Sequence, residues 1–322
     1  MTGEVLVTGA AGFIGGHLAA ACRRAGFTVT ALDPAPSGEE STAADGVVLA
    51  TAGDAGLLAD VRAGRYRAVL HQGGISSTLE TDRDLLRAVN VDEPLALAEA
   101  CAAAGTPFAY ASSHSVYGTI RGRFAVVEED VADPDRCTGP LNDYAWSKLT
   151  LDQEMTARFG DDAPWSGYRY TNVFGTGEER KGSMASIISQ LLRQAATGVP
   201  LRLFADTLEA CRDYVPVETV VDTLLDVIRQ PPPPGVYNLG SGVPVSFATL
   251  LGWCGELRGE DGLAVHLVPN PVSGRYQYWT CADQSRAGAV LPRARGLAVE
   301  EVRSAAHRLY RTFAGATAQP VP

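Results

Sequence analysis

The sequence predicts an α/β fold: a doubly wound parallel sheet with a smaller C-terminal α/β lobe. Three observations predict it. Strand-like and helix-like segments alternate from residue 4 to about residue 173. A glycine-rich turn, Gly9-Ala-Ala-Gly-Phe-Ile-Gly15, stands directly between the first strand and the first helix. The second strand ends in an acid, Asp33, eighteen residues past Gly15. Glycines at such a turn allow close backbone approach, so the helix N-terminus can face a pyrophosphate. An acid at the end of the second strand can accept both ribose hydroxyls of an adenosine. This is a Rossmann-type arrangement.

The elements follow in order. Residues 4–8 alternate and are β-branched, which reads as a strand; after the glycine turn a helical pattern runs to about Ala25. Residues 27–33, 47–50 and 66–71 read as the next three strands. Residues 85–104 read as one long helix stopped by Gly105, and 108–112 as a fifth strand. Residues 142–159 are helical in pattern and 166–170 form a sixth strand. Past Gly175 the alternation becomes irregular, with helices expected over 183–196 and 217–229, the latter halted by the prolines at 231–234. The organisation expected is a dinucleotide-binding domain over 1–173 with return segments near 213–241, and a substrate-binding lobe mainly over 174–322.

Composition narrows the function. The chain has 322 residues, 46% hydrophobic and 20% charged, with no apolar run long enough to span a bilayer. A net charge of −10 and the lack of any basic block argue against nucleic acid as a partner. The strand beginning at Glu4 leaves no room for a signal peptide, so a cytoplasmic location is expected. Six scattered cysteines without a CxxC pair fit free thiols in a reducing compartment, and no metal site is expected. Of the 27 basic residues only two, Lys148 and Lys181, are lysines. The glycine and alanine content points to a coding background that turns lysine into arginine wherever charge alone matters. A surviving lysine then marks a place where an amine is needed, because an amine can release its proton near neutrality and a guanidinium cannot.

Tyr144-Ala-Trp-Ser-Lys148 places a phenol and an amine on one helical face. A free tyrosine, with a pKa of ~10, is a poor base; bringing it to ~7 takes about 4 kcal/mol, which neighbouring cations can supply. About thirty residues earlier, Ala111-Ser-Ser-His-Ser-Val-Tyr-Gly118 ends the fifth strand with serines able to hold a substrate oxygen beside that tyrosine.

With these motifs the chain resembles the extended short-chain dehydrogenase/reductases that act on nucleotide sugars. His71-Gln-Gly-Gly-Ile-Ser-Ser-Thr78, Pro140-Leu-Asn-Asp-Tyr-Ala-Trp-Ser-Lys148, Arg169-Tyr-Thr-Asn-Val-Phe-Gly175, Lys181-Gly-Ser-Met-Ala-Ser186, Arg212-Asp-Tyr-Val215, Tyr237-Asn-Leu-Gly-Ser-Gly242 and Gly274-Arg-Tyr-Gln277 resemble one branch, the ADP-glyceromanno-heptose 6-epimerases. The resemblance implies an isomerase that oxidises a sugar carbon to a ketone and reduces it on the other face. It implies Tyr144 and Lys181 as the two acid/base groups, Ser113 on the reacting oxygen, and Lys148 on the nicotinamide ribose. Gly9, Gly12, Phe13, Ile14, Gly15, Asp33, Gln72, Gly73, Gly74, Asn90 and Val173 fall where the cofactor binds. Ser76, Ser113, His114, Asn172, Ser183, Gln190, Phe204, Arg212 and Tyr276 fall where the ADP-sugar binds.

Three departures stand out: Gln72 replaces an acid, His114 follows the serine where small residues are usual, and residues 128–139, rich in Asp, Glu and Pro, make the loop before Tyr144 unlike the family's. His114 is expected to reshape the sugar pocket. The resembled family often uses NADP, yet Asp33-Pro-Ala-Pro-Ser-Gly-Glu-Glu40 is acidic without a base, so NAD is the expected cofactor and NADP the alternative. A hexose 4-epimerase is the nearest rival reading. A 4,6-dehydratase lacks its Asp-Glu pair, since His114 and Ser115 stand there, and a nucleotide-sensing regulator would not need the intact tyrosine and lysine. A homo-oligomer is expected from the resemblance.

Overall fold

The computed structural model describes residues 3–34, 44–259, 262–271, 273 and 276–317. The first half holds β1 (Glu4–Thr8), α1 (Phe13–Arg24), β2 (Thr28–Leu32), β3 (Gly46–Val48), α2 (Ala55–Arg62), β4 (Ala68–His71), α3 (Arg83–Arg87), α4 (Glu93–Ala104), β5 (Phe108–Ser113), α5 (Asp143–Phe159) and β6 (Trp165–Tyr170). The second half holds β7 (Asn172–Phe174), α6 (Ile187–Thr197), β8 (Leu201–Phe204), β9 (Cys211–Pro216), α7 (Val217–Arg229), β10 (Gly235–Leu239), β11 (Pro244–Ser246), α8 (Phe247–Arg258), β12 (Val265–Val268), α9 (Ser285–Val290) and α10 (Val299–Thr317).

Seven strands form one parallel sheet in the order β10-β6-β5-β4-β1-β2-β3. The strands are buried almost throughout, as in a sheet covered on both faces. One face packs against α1 and α7 through Leu18, Val220 and Leu224; the other packs against α2, α4 and α5 through Leu58, Leu97 and Leu151. The strand order reverses between β1 and β4, and a crevice opens at their carboxyl ends, where ligands bind in such sheets. The second lobe has its own core, with α6, α8 and α10 around Phe174, Tyr214 and Trp253. It also carries a small three-stranded sheet, β11-β9-β7, and the pair β12-β8.

Two helices depart from the expected spans. The segment expected as one helix over 85–104 begins at Arg83, capped by Asp82, and passes through a π-helical turn, Ala88–Asp92, before α4. Pro94, which has no N–H to offer Asn90, explains the widened turn. The helix expected from 183 starts at Ile187 instead. Before it lies a 3₁₀ segment, Glu178–Met184, kinked at Gly182, whose φ of 56° is left-handed. Ser186 then caps α6 by accepting from Ser189 N.

Candidate active site

The glycine turn is built by backbone contact. Gly9 has a φ of 65°, and a Cβ there would lie 2.5 Å from Gly73 N. A Cβ on Gly15 would lie 2.0 Å from Gly9 O. The turn after β1 and the Gln72–Gly73 loop after β4 therefore close on one another with no room for a side chain. Helix α1 starts at Gly12 with no side-chain cap and no acid in its first turn, so its leading amides are left for an anion. Those bare amides fit the pyrophosphate of a dinucleotide. A cleft of about 680 Å³ runs along this turn, lined by Gly9, Gly12, Phe13, Ile14, Gly15, Asp33, Gln72, Gly73, Gly74 and Ser76, with Lys181 at its end. Asp33 accepts from Ala11 N at 3.1 Å. The acidic run after it, Ala35 to Glu40, lies outside the described residues.

A second cleft of about 670 Å³ adjoins the first and also borders Gln72, Gly73, Gly74, Ser76 and Lys181. Ser113, Tyr144, Lys148, Asn172, Val173, Arg212 and Tyr276 line it. Val173, expected among the cofactor contacts, stands here beside Asn172. Helix α5 presents Tyr144 and Lys148, with Asn142 capping its start through Ala145 N. Ser113 hydrogen-bonds the Tyr144 phenol and Ser115 Oγ, the latter at 2.8 Å. Burial pushes the Tyr144 phenol above its ordinary range and the bond from Ser113 pulls it back. Lys148 donates to Ala111 O at 3.0 Å; burial pulls its ammonium down to about 8, against the opposing pull of Asp152 one turn on. Lysine 148 thus fixes the end of β5 against α5, and the cation expected to activate Tyr144 is itself weakened by burial.

Lys181 stands where the two clefts meet. Its ammonium lies 4.8 Å from the centre of the Phe13 ring and 3.9 Å from Glu178 Oε1. Burial lowers its pKa and the Glu178 carboxylate raises it. Arg212 lies between the rings of Phe247 and Tyr276, 5.6 and 5.1 Å from their centres, which holds its fork in the cleft wall. Its neighbour Asp213 is buried and accepts from Ser241 N, Ser241 Oγ, Gly242 N and Ala282 N at 2.7, 2.7, 3.1 and 3.0 Å, pinning the loop after β10 to β9.

Five expected contacts stand away from both linings. Asn90 is buried in the π turn; its Oδ1 accepts from Ile75 N at 2.8 Å, and its amide donates to Ile75 O and Ser147 Oγ, both at 3.0 Å. It holds the Gly74–Ile75 loop rather than a ligand. His114 is buried with its ring 4.9 Å from that of Tyr117, and burial pushes its pKa down to about 4, which favours the neutral ring; it borders neither cleft. Gln190 spends its amide on Ala185 O and Ser183 O, at 2.7 and 3.3 Å, and Ser183 is exposed on the same turn. Phe204 meets Tyr276 edge-on, ring centres 6.1 Å apart, and braces it from behind. Gln72, in place of an acid, accepts from the Tyr170 hydroxyl at 3.0 Å, which a neutral amide does without adding charge beside the dinucleotide cleft. Of the Gly274-Arg-Tyr-Gln277 stretch, Gly274 and Arg275 lie outside the described residues; Gln277 donates to Gly118 O at 2.6 Å. Sequence reasoning missed Tyr170, Phe247 and Glu178. Only Glu178 left a signal, an acid one turn before a rare lysine.

Residues 5–240 match the NAD dependent epimerase/dehydratase family. An ADP-L-glycero-D-manno-heptose-6-epimerase of Alkalilimnicola ehrlichii is 34% identical over 299 residues, which cover 88% of this chain and 90% of that one. The crystal structure of Helicobacter pylori ADP-L-glycero-D-manno-heptose-6-epimerase superposes with a TM-score of 0.83 at 24% identity, over 97% of this chain and 96% of that one. A Thermus thermophilus UDP-glucose 4-epimerase in complex with NAD superposes with a TM-score of 0.74 at 24% identity, over 96% of this chain and 99% of that one. At these identities the two structures speak to the fold.

Proposed function

The chain belongs to the NAD dependent epimerase/dehydratase family, and on that premise we propose that it is a nucleotide-sugar epimerase inverting C6 of an ADP-glycero-manno-heptose. The observation that carries this reading is that Tyr144 and Lys181, on α5 and on the turn before α6, border one cleft that opens onto the dinucleotide cleft. A bound nicotinamide supplies a reversible hydride acceptor for the sugar carbon. The chain supplies the rest. Ser113 orients the reacting oxygen beside Tyr144, and Tyr144 and Lys181 take and return the hydroxyl proton on the two faces of the sugar. Arg212, held between two rings, is suited to the diphosphate. Of the two dinucleotides, NAD is the one that Asp33 favours, since a carboxylate there accepts ribose hydroxyls and repels a 2′-phosphate.

The reaction run in heavy water tests the chemistry. A hydride held by the cofactor does not exchange with solvent, so the inverted carbon should keep its own hydrogen. Substantial deuterium at that carbon would replace this mechanism with deprotonation of a carbon acid.

A further inference from the structure

Glu178 is a buried carboxylate, 2% exposed, at the edge of the substrate cleft. It is the first residue of the 3₁₀ segment that carries Lys181. Its Oε1 accepts from Ser186 N, and its Oε2 from Ser186 Oγ, both at 2.7 Å; Ser189 Oγ donates to Oε2 as well. These donors belong to the cap and first turn of α6, whose amides and dipole accommodate an anion. So the carboxylate is fixed to a helix of eleven residues, and the Oε1 that accepts from Ser186 N also lies 3.9 Å from the Lys181 ammonium. Among the described residues, the face of the Phe13 ring, 4.8 Å away, also meets the Lys181 ammonium. The chain turns sharply at Gly182, immediately after it, so the backbone does not continue into α6 as a straight helix that would fix the amine.

We propose that Glu178 is a positioning residue for Lys181: anchored on α6, its carboxylate sets where the amine stands between the two clefts and how readily it releases its proton. The proposal rests on the reading of Lys181 as an acid/base group, and adds a residue that acts through it. Other titratable and charged side chains face Lys181 across the clefts. Tyr144, Lys148, Arg212 and Tyr276 stand on the substrate side. Asp33, His71, Glu93 and Arg180 stand on the dinucleotide side. Burial lowers the pKa of the Lys181 amine, and the Glu178 carboxylate raises it. An opposite charge at this range favours the ammonium and raises an amine pKa. The Lys181 side chain is itself 38% exposed, so solvent shares in setting its charge and the carboxylate acts on the part of the amine turned toward the clefts.

The chain's two lysines make a direct test practical. Protein grown on lysine labelled with carbon-13 at Cε gives two side-chain resonances, assigned by comparison with a Lys181→Arg sample. In Glu178→Gln, which keeps an acceptor for the α6 donors, the Lys181 midpoint should fall by about one pH unit or more, with the Lys148 midpoint unmoved. Glu178→Asp keeps the charge but withdraws it by one methylene, and should lower the midpoint by less; it serves alone if the glutamine variant does not fold. A Lys181 midpoint unchanged in both, or one that rises, overturns the proposal. A purely structural role would lower stability and leave the midpoint in place. Because this titration needs no substrate, it stands or falls separately from the heavy-water experiment on the reaction.

Discussion

Tyr144 and Lys181 are moved by burial in opposite directions: the phenol becomes harder to ionise and the ammonium easier. The neutral amine so favoured can accept a proton, whereas the phenol so favoured can only donate one, so Tyr144 needs the positive charge of an oxidised nicotinamide beside it before it can act as a base. Tyr144→Phe and Lys181→Ala should each reduce the epimerisation rate by roughly 10²–10⁴-fold with the fold intact, the usual contribution of a positioned acid or base. Lys181→Arg should not restore it, because a guanidinium stays protonated. Steady-state turnover with circular dichroism as a fold control decides this, and near-wild-type turnover in either lysine variant would remove Lys181 from the chemistry. These residues were legible because residue type carries chemistry: a tyrosine four places before a lysine, and two lysines left among 27 cations. Depth was not legible. Nothing in Ser-Ser-His-Ser says that His114 turns inward against Tyr117 while Ser113 turns toward the cleft, since that depends on the 3₁₀ turn after β5.

Among the elements, the π turn before α4 does the most positioning for its size. It places Asn90 where one side chain makes three hydrogen bonds, two to the Gly74–Ile75 backbone and one to α5. Gly74 depends on it closely: its φ of 140° suits glycine, and a Cβ there would lie 2.8 Å from Asn90 Oδ1. Asn90→Ala strands a buried donor and acceptor on Ile75 and should lower stability by about 1–3 kcal/mol, measured by urea unfolding. It should also weaken dinucleotide binding, read by fluorescence titration, because the loop lining both clefts loses its support; unchanged stability would show that water replaces the amide. The strands and the glycine turn were readable from alternation and spacing alone. The breaks within helices were not: a π turn and a kink at Gly182 depend on tertiary contacts that local periodicity does not register.

At the scale of the whole molecule, the charges that bear on the choice of dinucleotide stand at opposite ends of the sheet. Arg65, among the first basic residues after Asp33 in the chain, is bound at the amino end of the sheet by Glu4 and Asp60, at 3.1 and 2.6 Å, whereas Asp33 lies at the carboxyl end. Arg180 does border the dinucleotide cleft. Denaturing the purified protein and identifying the released dinucleotide should give mainly NAD; mainly NADP would assign the 2′-phosphate to Arg180 instead. The central sheet has a further consequence for how the protein is made. Its outermost strand, β10, pairs with β6 but is synthesised only after all of β7 to α7. A nascent chain that has reached residue 173 therefore carries six of the seven strands and an open edge along β6, the kind of surface that recruits foreign strands. Ribosome-bound intermediates of that length should be the ones that chaperones hold and proteases cut. The central sheet is thus completed by a strand from the later part of the chain, which ties the maturation of the first half to that of the second.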